Sequence, residues 1–187
     1  MGASIDQLTL LAEYNKLMNQ RQYTAAAGLS KDDLYADKGA FFKSVMGTLN
    51  HILVGDIVWL KRFAMLSSSR EMLSYIGTLD KPDSLDATLF DDFSELQAVR
   101  EKVDEVIIAW VKQLSENDLN ECVSYSSVAG NPHRKPFNSL INHLFLHQVH
   151  HRGQATTLLS QCGVDFGETD LIEIIGEQGK LSSEQAE

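Results

Sequence analysis

Apolar residues recur at helical spacing in four long stretches of this chain, separated by polar segments carrying glycine and proline. In residues 4–27, Ile5, Leu8, Leu11, Tyr14, Leu17 and Met18 keep a helical period behind Ser4, which is suited to cap the start, and Gly28 supplies a stop. Lys31-Asp32-Asp33 and Asp37-Lys38-Gly39 then read as a polar connection. A second helix is predicted over residues 40–66, with Phe41, Val45, Leu49, Ile52, Trp59 and Phe63 as its core stripe. Residues 78–87, with Pro82, form an irregular linker, and residues 70–76 before it are compatible with a short helix. A third helix is expected from Asp86 or Ala87 to Leu114, built on Leu89, Phe93, Leu96, Val99, Val103, Val106, Trp110 and Leu114. Arg100 and Asp104 have the spacing of a surface i,i+4 pair. Cys122 to Tyr125 alternates, Gly130-Asn131-Pro132 turns the chain, and His133 to Lys135 returns it, which predicts a small hairpin or extended excursion. Pro136 then suits the first turn of a fourth helix over residues 137–161. Leu171, Ile172, Ile174 and Ile175 suggest a last small helix folded back on the rest, and residues 179–187 should fray. The reading is an all-α four-helix bundle with one small hairpin, residues 1–187 forming a single domain.

Composition narrows the partners. Lys and Arg number 16 against 26 Asp and Glu, a net charge of −10, and such an acidic surface repels phosphate backbones, so no nucleic-acid partner is expected. Cys122 and Cys162 form no Cys-x-x-Cys pair and no disulfide framework. No apolar run approaches the ~20 residues of a membrane span, and no basic-then-apolar leader opens the chain. A cytoplasmic protein without a membrane partner is the expectation.

The chemistry concentrates in helix four. His143, His147, His150 and His151 project within about one quadrant of the helix at ~100° per residue. Imidazoles at such spacings can share a metal ion if a third ligand comes from elsewhere, and His51 in helix two is the available partner. Spacing alone permits the pairs His143/His147, His147/His150 and His147/His151. His51 lies on a stripe with Gly47 and Gly55, and each glycine costs a helix about 1 kcal/mol relative to alanine. Close approach of another helix or of a bound group would compensate. Asp56 lies about 140° round from His51 and is read as bracing another helix near Arg62 or Arg100. Trp59 reads as core. Gln148 replaces the glutamate of His-Glu-x-x-His, which disfavours a zinc peptidase, and no Glu-x-x-His motif is present for a di-iron bundle.

Two separated motifs, Thr48-Leu49-Asn50-His51 through Asp56 and Trp59-Leu60, and His147-x-x-x-His151-Arg152-Gly153-Gln154, resemble the DinB/YfiT family of small metal-binding four-helix proteins. That family is unrelated to the DNA polymerase sharing the name. The resemblance spans the chain from Tyr14-Asn15 to Gly163 and implies a divalent ion (zinc, nickel or iron) held by His51, His147 and His151. His143, His150 and Gln154 then line the pocket or support the ligands, Arg152 serves a structural salt bridge, and Gly153 allows a close helix contact. The basic turn with Arg134 is a candidate contact for an anionic substrate group. The resemblance also implies a homodimer. A mononuclear three-histidine site leaves a position open, and an ion there can lower the pKa of a bound water or thiol toward ~7. Relatives of this kind include mycothiol-dependent isomerases and bacillithiol-dependent transferases, part of which carry an acidic residue where this chain has His147. The expected function is a metal-dependent thiol S-transferase or hydrolase acting with a low-molecular-weight thiol or another small molecule. A non-catalytic metal-binding or stress-response protein and a purely structural dimerising bundle are the rival readings.

Overall fold

The computed structural model describes residues 3–127 and 130–176. Its long helices are α1 (Ile5–Ala27), α3 (Val45–Phe63), α5 (Phe93–Val111) and α7 (Phe137–Gln161). Short helices α2 (Lys31–Tyr35), α4 (Ser74–Thr78) and α6 (Glu116–Leu119) and the antiparallel hairpin of β1 (Cys122–Ser126) and β2 (Pro132–Pro136) fill the connections. The architecture is the expected all-α bundle with a small hairpin. No helix of the described residues is long and apolar enough to cross a membrane.

Side-chain pairings fix the directions of the four helices. Along α1 and α5, Tyr23 meets Phe93, Asn19 meets Asp104 and Glu13 meets Lys112, so these helices are antiparallel. The His51–His151, Trp59–His143 and Phe63–Phe137 contacts make α3 and α7 antiparallel as well. By contrast, Asp56–Arg100 and Phe63–Trp110 run α3 parallel to α5, and Ala3–Asn138 with Asn15–Arg152 runs α1 parallel to α7. Two consecutive long helices that are parallel require the chain to travel back the length of the bundle between them. That is the task of the irregular segment 64–92, whose Leu85 carbonyl reaches His51.

At α2, α3 and α5 a side-chain cap sets a helix start that differs from the periodicity reading. The segment after Gly28, expected as a polar connection, begins α2, with Ser30 accepting from the Asp33 amide. The second long helix starts at Val45 rather than residue 40, because Ser44 caps it and Lys43, at φ 66°, turns the preceding chain. Phe41 is consequently 84% exposed and not core. The third long helix starts at Phe93, where Asp92 accepts from the amides of Ser94 and Glu95. The short helix expected over residues 70–76 is Ser74–Thr78. Pro136 is the residue just outside α7 rather than in its first turn. The terminal apolar run forms a 3-10 turn, Leu171–Ile174, and its neighbours fold back on α1, where Tyr14 donates to the Thr169 carbonyl and Arg21 to that of Glu168. The frayed tail expected over residues 179–187 lies outside the described residues.

Inside the bundle, an aromatic and aliphatic layer around Phe63, Trp110 and Phe137 gives way to a buried polar layer. Arg100 and Asp104, expected on the surface, are 1% and 3% exposed. Arg100 donates to Asp56 and, at 2.8 Å, to Asp104, whose carboxylate also accepts from Asn15 and Asn19. Asp56 therefore braces α5, and it accepts from Gln148 of α7 too. Arg152 is buried without a carboxylate partner among the described residues. It donates to Asn15 and Gln148 and lies over the Tyr14 ring, so the expected salt bridge is replaced by amide and aromatic contacts. Among the described residues a Cβ on Gly153 would meet nothing within 4 Å, so no close helix contact among them uses this glycine. This cross-linked layer fixes α3 against α7, and with it the spacing of the histidines.

Candidate metal centre

His51, His147 and His151 converge, each offering one ring nitrogen within 4.8 Å of the others. The antiparallel packing of α3 on α7 aligns His51 with His151, and Gly55, one turn further along α3, with His147. The two glycines of α3 have separate steric reasons. A Cβ on Gly55 would sit 2.4 Å from His147 Cε1 and 2.9 Å from its Nδ1, so this glycine makes room for the third imidazole. A Cβ on Gly47 would sit 2.1 Å from the Phe42 carbonyl oxygen, so that glycine lets the turn before α3 fold over its first residues. The turn delivers Phe42, which stacks on His51 with ring centroids 3.7 Å apart and meets His151 edge-on.

Hydrogen bonds set the tautomers. His51 Nδ1 lies 2.6 Å from the Leu85 carbonyl, and His151 Nδ1 lies 2.8 Å from Gln154 Oε1. Both partners are oxygens that only accept, so both Nδ1 atoms carry the proton and both Nε2 atoms keep an in-plane lone pair. Those two Nε2 atoms are 3.1 Å apart. Two lone pairs facing each other at that distance repel unless a cation lies between them. Two imidazoles bound to one tetrahedral ion with bonds of about 2.0–2.1 Å hold their nitrogens about 3.3 Å apart, close to the observed separation. His147 Nδ1 is buried with no hydrogen-bond partner among the described residues. The residues present thus fit a divalent ion in both donor chemistry and spacing.

Electrostatics point the same way. Burial lowers the pKa of His147 to about 3, reinforced by the neighbouring His151 and His51. Burial also lowers His51 and His151, against the opposing pull of the Leu85 and Gln154 hydrogen bonds. All three rings are therefore neutral near pH 7, the form that binds metals. Beneath them, burial raises Asp56 to about 6 despite Arg100 beside it.

Gln154 orients His151, as described. His143, exposed one turn before His147, points its ring at Trp59 at 5.1 Å, and its pKa is lowered by burial and by the charges of Lys135 and Arg62. His150 is exposed and lies against His151 at 4.6 Å. Trp59 is half-buried between Phe63, Tyr125 and His143. Arg134 stands exposed on β2 opposite Ser124 and is not one of the three clustered residues. Sequence reasoning missed Leu85 and Phe42. The first acts through its backbone carbonyl and leaves no side-chain signal, while the second was hidden by extending the helix across it.

The DinB family model matches residues 1–180. The chain is also 23% identical over 160 residues to Protein DinB of Bacillus subtilis (strain 168), an alignment covering 86% of this chain and 88% of that protein. No solved structure matches it. The chain belongs to the DinB family.

Proposed function

We propose that this protein is a divalent-metal-dependent enzyme of the thiol S-transferase or hydrolase type, with His51, His147 and His151 as its metal ligands. The observation that carries the reading is the 3.1 Å approach of two unprotonated Nε2 atoms whose tautomers are held by Leu85 and Gln154. Among the described residues no fourth His, Cys, Asp or Glu joins the three. Three protein nitrogens suit a catalytic site with an exchangeable position, whereas structural zinc sites close all four. This favours the enzyme over a storage or purely structural role.

When bound, zinc, nickel or iron would supply a Lewis acid that makes a water or thiol a competent nucleophile near neutral pH. The chain's own residues do the rest. Leu85 and Gln154 aim two imidazoles, Gly55 admits the third, and Phe42 covers one side of the cluster against water. The homodimer and the small thiol or other small-molecule substrate implied by the family likeness belong to this same proposal.

The test is the visible spectrum of the cobalt(II)-loaded protein before and after addition of a small thiol. A tetrahedral-type spectrum that the thiol changes supports an exchangeable position, and justifies screening thiols with electrophiles. A cobalt spectrum indifferent to thiols, halides and azide alike contradicts the catalytic reading.

A further inference from the structure

Alongside α3, past Trp59 from the three-histidine cluster, lies a groove of about 720 Å³ between that helix, segment 64–92 and the hairpin. Lys61, Arg62, Lys81 and His133 line it, with Asp83 as the single lining carboxylate among the described residues. In a chain of net charge −10 this is a local reversal of sign. Among the described residues, none of Lys61, Arg62 and Lys81 is paired with a carboxylate. Arg62 is held in place: its guanidinium lies 4.5 Å from the ring centres of both Trp59 and Tyr125, and Nη2 donates to the Ser126 carbonyl at 3.0 Å. Two aromatic faces and one hydrogen bond fix the planar fork and leave its other N–H groups without a partner among the described residues. A fixed guanidinium with free donors, flanked by two lysines, is a receptor for a carboxylate or phosphate.

A run of packed rings lies between the groove and the three-histidine cluster. Trp59 stands 5.1 Å from His143, and His143 stands 5.8 Å from His147. Gly55, on which His147 packs, precedes Arg62 by seven residues, a rise of roughly 10 Å along the helix. We propose that the groove binds the anionic end, carboxylate or phosphate, of the small molecule whose reacting end lies at the three-histidine cluster. The inference rests on the metal-dependent reading above and adds to it the substrate class: an elongated molecule with an oxyanion about 10 Å from its reacting atom.

The experiment is calorimetric titration of zinc-loaded and metal-free protein. The probes are ω-mercaptocarboxylates of increasing chain length, the matching ω-mercaptoalcohols, and octanoate beside octyl phosphate. On the zinc-loaded protein the carboxylates should bind with an optimum at lengths that span about 10 Å, and at least about tenfold tighter than the alcohols of the same length. Arg62→Gln should abolish that advantage without touching the alcohols, and Lys81→Gln, on an exposed side chain, should reduce it. On the metal-free protein, octanoate or octyl phosphate should bind in an Arg62-dependent way, and whichever binds tighter identifies the oxyanion. Equal binding of acids and alcohols, or acid binding unmoved by either variant, overturns the proposal while leaving the metal site standing. Failure to take up zinc, with Arg62-dependent octanoate binding intact, sinks the metal-dependent reading and the shared substrate with it.

Discussion

Gly55 is the position where one methyl group should separate metal binding from folding. A Cβ there falls 2.4 Å from His147 Cε1, against roughly 3.5–4.0 Å for relaxed carbon contacts. The imidazole in Gly55→Ala must therefore retreat by about 1 Å or more. Metal ligands tolerate about 0.2 Å of misplacement, so the third ligand is lost from the set. The obstructed atom belongs to the end of a half-buried side chain, not to backbone, so the helix itself need not move. Alanine meanwhile favours an interior helical position by about 1 kcal/mol over glycine. The expected outcome is a metal-free protein as stable as the parent or up to about 1 kcal/mol more stable, with zinc affinity reduced on the order of a hundredfold or more. Competition with a chromophoric chelator gives the affinity, and urea unfolding of the metal-free protein gives the stability. Unchanged zinc affinity would refute the placement of His147 as a ligand. A loss of several kcal/mol in the metal-free protein would mean that Gly55 serves helix packing alone.

Gln154→Ala removes the acceptor that fixes the His151 tautomer and should weaken zinc binding about 10- to 100-fold, whereas Gln154→Glu keeps an acceptor and should bind at least as tightly as the parent. Equal loss in both would show that Gln154 does not act by accepting from Nδ1. Arg100→Ala leaves Asp56 and Asp104 buried without their cation and should lower stability by about 3–5 kcal/mol in urea unfolding, and a change below about 1 kcal/mol would refute the buried pair. The metal-free protein should lose stability as pH falls below about 6.5. Burial depresses the folded-state pKa of His147 to about 3, so its stabilising contribution is present above the unfolded pKa and fades below it. Asp56, raised to about 6 by burial, works in the opposite sense. Comparison with His147→Leu isolates the histidine, and a parent no steeper than this variant in its pH dependence would contradict the assignment.

The long helices were legible because their buried positions are mostly apolar at helical spacing; α3, buried all round over residues 48–57, is legible from its apolar content as well as its period. The start of α5 was misplaced because Leu89 fits the period, although Asp92-x-x-Glu95 carries the capping signature that marks the true start. Ser30 and Ser44 are N-cap residues of α2 and α3, so the caps held information that the apolar pattern did not. Arg100 was read as a surface residue from its spacing to Asp104, yet it is in phase with Leu96, Val103 and Ile107, all buried on the same face of α5. Charge at a core-phase position signalled a polar layer inside the bundle, as did Asn15, Asn19 and Gln22 in phase with Leu8 on α1. The three clustered histidines were legible from spacing together with the family likeness. Their tautomer control was half legible: Gln154 follows from helical phase, but the Leu85 carbonyl depends on the path of the crossover segment, which no local pattern encodes. The basic groove was foreshadowed by the cluster of His133, Arg134 and Lys135. The structure instead draws the groove's cations mainly from α3 and segment 64–92, with His133 of β2 also in its lining.

Elemental analysis of protein purified without a histidine tag tests whether the three neutral imidazoles hold one ion. About one equivalent of zinc, nickel or iron per chain is expected in the parent, lost in both His51→Ala and His147→Ala while each variant remains folded. A parent that takes up no metal after reconstitution near neutral pH, or a variant that retains its full equivalent, would contradict it.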